Sequence, residues 1–180
     1  MEYGNSLTPA DLKAFSTLVD SIYQGATDPS RWPAILPPIV DWIGARKNLF
    51  FTPLHVPAQG GFVFSYALPE SFIELWRTRY QEGDLWAQGA VRKGLFVDGS
   101  VPLGTELCSR EELLASDWYK DFLSREDLVH LLAGAVSGVD SKLTLPVSCA
   151  FYRGLRDPEF GERGVPSSPF CSPICRVPSA

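Results

Sequence analysis

Histidine is nearly missing from this chain: His55 and His130 are the two in 180 residues, beside one methionine and four cysteines. That scarcity removes most of the chemistry a short protein can carry. A metal site needs several His, Cys or carboxylate ligands at set spacings, and Cys171-x-x-x-Cys175 has neither a second pair nor a histidine nearby. A nucleophile–base pair would have to join Cys108 or Cys149 to His130, and none of the three lies in a Gly-flanked elbow or other covalent-catalysis motif. His55 sits in a Pro-flanked loop and reads as solvated, while His130 opens an apolar stretch and reads as a hydrogen-bonded structural residue. Phosphate-cradling glycine patterns are also missing, and Gly60-Gly61 reads as a hairpin turn. The expectation is a protein that is not an enzyme and holds no metal or cofactor.

Clustered positive charge is equally scarce. The 16 basic residues are outnumbered by 21 acidic ones, and Arg46-Lys47 and Arg92-Lys93 are the adjacent basic pairs. A net charge of −5 argues against direct DNA binding, because phosphate contacts need grouped Lys and Arg. No apolar run reaches membrane-spanning length, and Met1-Glu2-Tyr3-Gly4-Asn5 lacks the basic-then-apolar start of a signal peptide. The expected location is cytoplasmic, where the cysteines stay reduced.

What is present suits one well-filled domain: 45% of the residues are hydrophobic and 12% of the chain is aromatic. Thr8-Pro9-Ala10-Asp11 is a helix start, with a cap, a first-turn proline and a first-turn acid. Leu12, Phe15, Leu18, Val19, Ile22 and Tyr23 follow at helical spacing, and Gly25 reads as the stop. Asp28-Pro29 starts a second helix through Trp32, Ile35, Leu36, Ile39, Val40 and Ile43, in which Pro37-Pro38 predicts a kink or break.

The period then shortens. Residues 48–51 and 61–67 read as two antiparallel strands. A helix begins around Glu70, and 84–93 predicts a short helix ended by Gly94. Residues 95–97 suggest a strand, and Ser109 with Glu112 is a capping-box signature for a helix that breaks near Ala115 and resumes through Phe122. Two strands follow at 128–136 and 143–152, around a turn at 138–141. The order predicts an α+β fold, an antiparallel sheet with segregated helices.

Two aromatic segments, 76–86 and 116–123, carry the functional signal. Trp76 and Tyr80 are four residues apart and share a helix face, with Asp84 and Trp86 just beyond. Asp84 either caps the helix that follows Gly83 or accepts a hydrogen bond from a ligand's polar end. Trp118 and Phe122 read as core or as cavity wall, and Phe62, Phe64 and Tyr66 share one strand face as core or as cavity floor. Together these nine residues are the candidate site for a small, mostly apolar ligand with one polar group.

Asp28-Pro29-Ser30-Arg31-Trp32-Pro33, the run from Tyr80 to Trp86, Ser116-Asp117-Trp118-Tyr119-x-Asp121-Phe122-Leu123 and Phe160-Gly161-Glu162-Arg163 form a combined pattern. Over residues 8–163 it resembles the N-terminal sensory region of a group of bacterial LuxR-type helix-turn-helix transcriptional regulators. The resemblance implies a PAS/GAF-like input domain, homodimeric, normally followed by a four-helix DNA-binding domain. A more distant similarity, to the acyl-homoserine-lactone-binding domain, implies that Trp76, Tyr80 and Asp84 take the pocket roles of that domain's Trp, Tyr and Asp, at compressed spacing. A dimerisation module without a ligand is the alternative.

After Arg163 the composition changes abruptly. Residues 164–180 are rich in Pro, Ser and Cys and forbid the amphipathic helix that the resemblance implies there. A shifted reading frame in the coding DNA accounts for that switch and is the favoured expectation, with a natural disordered tail as its rival. On the first reading the chain is a sensory domain truncated before its DNA-binding half.

Overall fold

The computed structural model describes residues 8–52, 61–138 and 145–161. His55, the turn at 139–141, Glu162-Arg163 and the 164–180 tail lie outside them. The fold is α+β: four antiparallel strands in the order β2-β1-β4-β3, with helices on both faces. No helix among the described residues is long and apolar enough to cross a membrane.

Local signals at the helix starts act as the chemistry requires. Thr8 caps α1 (Pro9–Thr27) by accepting from the Asp11 N–H, while the Asp11 carboxylate accepts from the Thr8 N–H at 2.9 Å. Gly25 does not stop this helix. A Cβ there would lie 2.8 Å from Ile35 Cδ1 and 3.0 Å from the Trp32 ring, so the glycine lets α1 close onto the next helix. Asp28 caps a short 3-10 turn, Pro29–Arg31, that leads into α2 (Trp32–Ile43).

Helix α2 runs through Pro37 and Pro38 without the break that is one of the two outcomes expected from sequence. Each interior proline costs roughly 3 kcal/mol. Trp32, Ile35, Leu36 and Val40 are all buried, at about 1.5–3 kcal/mol for a large apolar side chain, which offsets that cost. The helix ends at Gly44, left-handed at φ 70°.

Strands β1 (Lys47–Phe51) and β2 (Val63–Tyr66) pair antiparallel, with Leu49 opposite Ser65 and Phe51 opposite Val63. Strand β4 (Val147–Arg153) lies between β1 and β3 (His130–Ser137). The strand expected at 95–97 does not form. That segment turns between Gly94 and Gly99, both left-handed, and residues 99–103 run along the outer edge of β3 instead. Gly99 donates to Ala135 O, Ala135 to Ser100 O and Ala133 to Pro102 O, so the edge is covered.

Strand alternation divides the sheet into two faces. Asn48, Phe50, Phe64, Tyr66, Leu132 and Phe151 face α2. The residues alternating with them, Leu49, Phe51, Ala133, Ala150 and Tyr152, face the second helical layer. That layer contains α3 (Glu70–Leu75), continuing as a π-helical segment Trp76–Tyr80, then α4 (Leu85–Arg92) and α5 (Gly104–Leu107). It closes with α6 (Arg110–Ala115) and α7 (Asp117–Asp121), separated at Ser116, whose hydroxyl accepts from the Tyr119 N–H.

Buried Arg153 ties the α2 layer to the sheet. Its guanidinium donates to Gly44 O at 2.7 Å, Ile43 O at 3.3 Å and Pro158 O at 3.1 Å, and lies 4.1 Å over the Phe160 ring. It thereby satisfies carbonyls at the C-terminus of α2, where a cation is favoured.

Candidate ligand-binding site

The two faces of the sheet are filled differently. On the α2 side, Trp32 packs against Phe50 at 4.5 Å between ring centroids and Phe64 at 6.3 Å, and Phe62 packs on both phenylalanines. On the other side, a cavity of about 240 Å³ remains between the sheet and the second helical layer.

Small side chains on its floor account for the space. Ala133, Ala135, Ser148 and Ala150 occupy positions where large residues would fill it. Leu49, Phe51 and Tyr152 complete the floor. Phe72, Ile73 and Trp76 form one wall, Trp86 and Ala90 of α4 another, and Trp118 with Phe122 a third.

Five of the nine candidate residues therefore meet here: Trp76, Asp84, Trp86, Trp118 and Phe122. Tyr80 stands behind them, stacked on Phe122 with centroids 4.7 Å apart, and Phe72 stacks on the same ring at 4.1 Å. The π-helical winding of 76–80 displaces successive turns relative to an α-helix, so Trp76 reaches Phe51 while Tyr80 turns to Phe122. Phe62, Phe64 and Tyr66 are corrected in placement. They belong to the opposite face of the sheet, because β2 directs Val63 and Ser65 toward the helical layer that bounds the cavity.

Asp84 performs the capping role: its carboxylate accepts from the Ala87 N–H at 2.9 Å at the start of α4. It also borders the cavity, where it receives the Trp76 side chain and the Trp86 N–H. Burial pushes this half-buried carboxyl up to about 6, against the lowering effect of those three donors. Tyr152, on the floor, has its hydroxyl driven above the ordinary tyrosine range by burial first and by the Asp84 charge second.

Trp118 supplies a different group. It is buried at 6% exposure, yet its Nε1–H meets no acceptor among the described residues. Trp86 meets it edge to face across the angle between α4 and α7. Among the described residues the lining includes Gln81, Asp84, Ser100, Ser148 and Tyr152 as polar residues, and no Lys, Arg or His.

Of the two thiols among the described residues, Cys149 borders the cavity and Cys108 does not. Cys149 packs with Phe151 and Leu132 on the α2 side, its Sγ 3.6 Å from Gly134 O, and burial pushes it up to about 11. Cys108 is also pushed up to about 11, by burial first and by Glu112 next. Both are therefore weak nucleophiles at neutral pH.

The floor residues Leu49, Phe51, Ser148, Ala150 and Tyr152 were not among the candidates. Their signal was the strand alternation of 49/51 and 148/150/152, but periodicity alone does not say which parity faces which helical layer. The chain matches no family model, no curated protein and no solved structure.

Proposed function

We propose that the chain is the ligand-sensing input domain of a bacterial LuxR-type transcriptional regulator. The observation that carries the reading is the 240 Å³ cavity, apolar on most of its lining with a few convergent polar groups. Support for the family comes from where its resemblance falls. Trp118, Phe122 and Leu123 of one motif and Asp84 and Trp86 of another all border that cavity. A ligand held there touches α3, α4 and α7 together with the sheet, so it favours whichever helical arrangement fits it best.

The test is thermal stability against a panel of uncharged apolar compounds, with Ala133→Leu as a filled-cavity control. A ligand at a hundred times its Kd stabilises by about 2.7 kcal/mol, a plain shift in Tm. The reading requires at least one compound to raise the Tm of the original chain and not that of the control. If no compound does so while the control itself melts higher, the cavity is a packing defect. Sequencing the gene past the Arg163 codon tests the regulator half of the reading, which requires a helix-turn-helix frame downstream.

One observation favours the alternative, a dimerisation module. Gly25 is the buried residue of α1, whereas Leu12, Ile22 and Tyr23 of its apolar stripe are 52%, 40% and 71% exposed. Sedimentation of Leu12→Glu/Tyr23→Glu beside the original chain decides it. A dimer that the double substitution turns into a folded monomer assigns the stripe to self-association.

A further inference from the structure

Strand β4 crosses the floor of the cavity with Ser148, Ala150 and Tyr152, a hydroxyl at either end of an apolar middle. The register sets this floor out in rows: Phe51, Ser148 and Ala135, then Leu49, Ala150 and Ala133, then Tyr152 beside Leu131. At about 3.3 Å per residue, the two hydroxyl-bearing residues stand about 13 Å apart along the strand.

The fold uses neither hydroxyl. Among the described residues, the Tyr152 and Ser148 side-chain oxygens have no hydrogen-bond partner. Both keep surface open to a small molecule, unlike the Trp118 nitrogen, which is sealed among protein atoms. The Tyr152 ring lies 6.0 Å from that of Trp86 and its hydroxyl feels the Asp84 charge, so it sits on the cavity side of the sheet. The other polar side chains of the lining are engaged. The Ser100 hydroxyl donates to Leu95 O, the Asp84 carboxylate receives the Ala87 N–H, and Gln81 has an interaction of its own. Hydroxyls left without partners away from bulk water are costly, and native proteins keep few of them.

Charge restricts the complementary molecule further. No cationic side chain lines the cavity among the described residues, so an anion would enter an apolar space with nothing to neutralise it. Burial and the Asp84 charge both resist ionisation of Tyr152, which therefore keeps its proton and can donate it to an acceptor.

We infer that Tyr152 and Ser148 are specificity-determining residues of the cavity, and that it takes an uncharged, mainly apolar molecule whose carbonyl-type oxygen accepts from these floor hydroxyls. This inference rests on the ligand-sensing reading of the cavity and specifies which chemistry its floor selects. Leu49, Ala150 and Ala133 carry the body of the molecule, and the hydroxyls distinguish an oxygenated compound from the hydrocarbon of the same shape.

Three probes of nearly equal shape test it: 4′-isopropylacetophenone, 1,4-diisopropylbenzene and 4-isopropylbenzoate, titrated into the full chain at pH 7.5. Amide resonances of a nitrogen-15-labelled sample read the binding. The ketone is expected to bind roughly threefold to tenfold more tightly than the hydrocarbon, the worth of one ordinary hydrogen bond. The carboxylate does not bind. In the double substitution Tyr152→Phe/Ser148→Ala the preference for the ketone disappears while the hydrocarbon binds as before. Without any probe, the double substitution leaves Tm unchanged or raises it, because it removes hydroxyls that the fold does not use.

Equal binding of ketone and hydrocarbon by the original chain overturns the inference and leaves the ligand-sensing reading intact. So does a preference that survives the double substitution, which would move the selection to Gln81 or Asp84. Preferential binding of the carboxylate overturns it as well. A fall in Tm of more than about 3 °C, the size of one lost hydrogen bond, makes the hydroxyls structural and overturns it without any probe. Failure of all three probes to bind also overturns it, and the thermal panel then decides the ligand-sensing reading separately.

Discussion

Trp86 meets Trp118 edge to face, with ring centroids 5.1 Å apart and planes 84° from one another. The contact joins α4 to α7, two short helices that each border the cavity, and both rings are buried. Neither helix has the length to be stable alone, so the pair of rings holds this corner together. Trp86→Ala is expected to cost about 3–5 kcal/mol, and Trp86→Phe distinctly less. Urea denaturation measures both, and a loss below about 1 kcal/mol for the alanine variant would show that α4 and α7 are held by other contacts.

Asp84 makes stability depend on pH in an unusual direction for a carboxylate. Its folded value, about 6, lies above the ordinary 3.8, so between those values the folded chain holds a proton that the unfolded chain has released. The contribution of Asp84 therefore favours the fold most at acid pH and declines as pH rises from about 4 to 6. Asp84→Asn removes the titration. The difference in unfolding free energy between the two proteins should move in the asparagine variant's favour across that window, and a flat difference would refute the assignment.

Gly89 tests the closeness of α4 and α5. Replacing a helical glycine by alanine ordinarily stabilises by about 0.5–1 kcal/mol. Here the new Cβ would lie 2.2 Å from the Leu107 carbonyl oxygen, which is backbone and cannot turn aside. Gly89→Ala is expected to lower Tm, opposite to the propensity, by an amount set by overpacking at about 1–3 kcal/mol. Differential scanning fluorimetry reads the sign directly.

Cys108 and Cys149 should resist alkylation. Both thiols are raised to about 11, so the thiolate is a minute fraction at pH 7.5. Iodoacetamide labelling followed by peptide mass mapping is expected to modify these two slowly in native buffer and rapidly in 6 M urea, roughly the concentration that unfolds small domains. Fast labelling of either one in native buffer would reopen a thiol chemistry.

The sequence disclosed the features decided within one turn of chain. Thr8, Asp28, Ser109 and Ser116 mark helix starts because a hydroxyl or carboxylate reaches a backbone N–H two or three residues on. It did not disclose that α2 survives Pro37 and Pro38, since that depends on Phe50 and Phe64 waiting beneath it on the sheet. The parity of β2 was hidden for the same reason. Phe62, Phe64 and Tyr66 are larger and more apolar than Val63 and Ser65, and were read as site residues, yet the larger set faces α2. Trp76 and Tyr80 satisfied the spacing rule for a shared helical face, and the π-helical winding then directed them to different partners.

Ala133, Ala150 and Ser148 give the sheet a history-friendly geometry. Their alternate neighbours, Leu132, Phe151 and Cys149, anchor the opposite layer, so each strand carries two independent messages in interleaved positions. One message keeps the architecture and the other sets the contour of the hollow. Descendants of such a chain can exchange an alanine for a valine or a leucine on the hollow side and acquire a new chemical preference, while the layer that secures the fold inherits every contact unchanged.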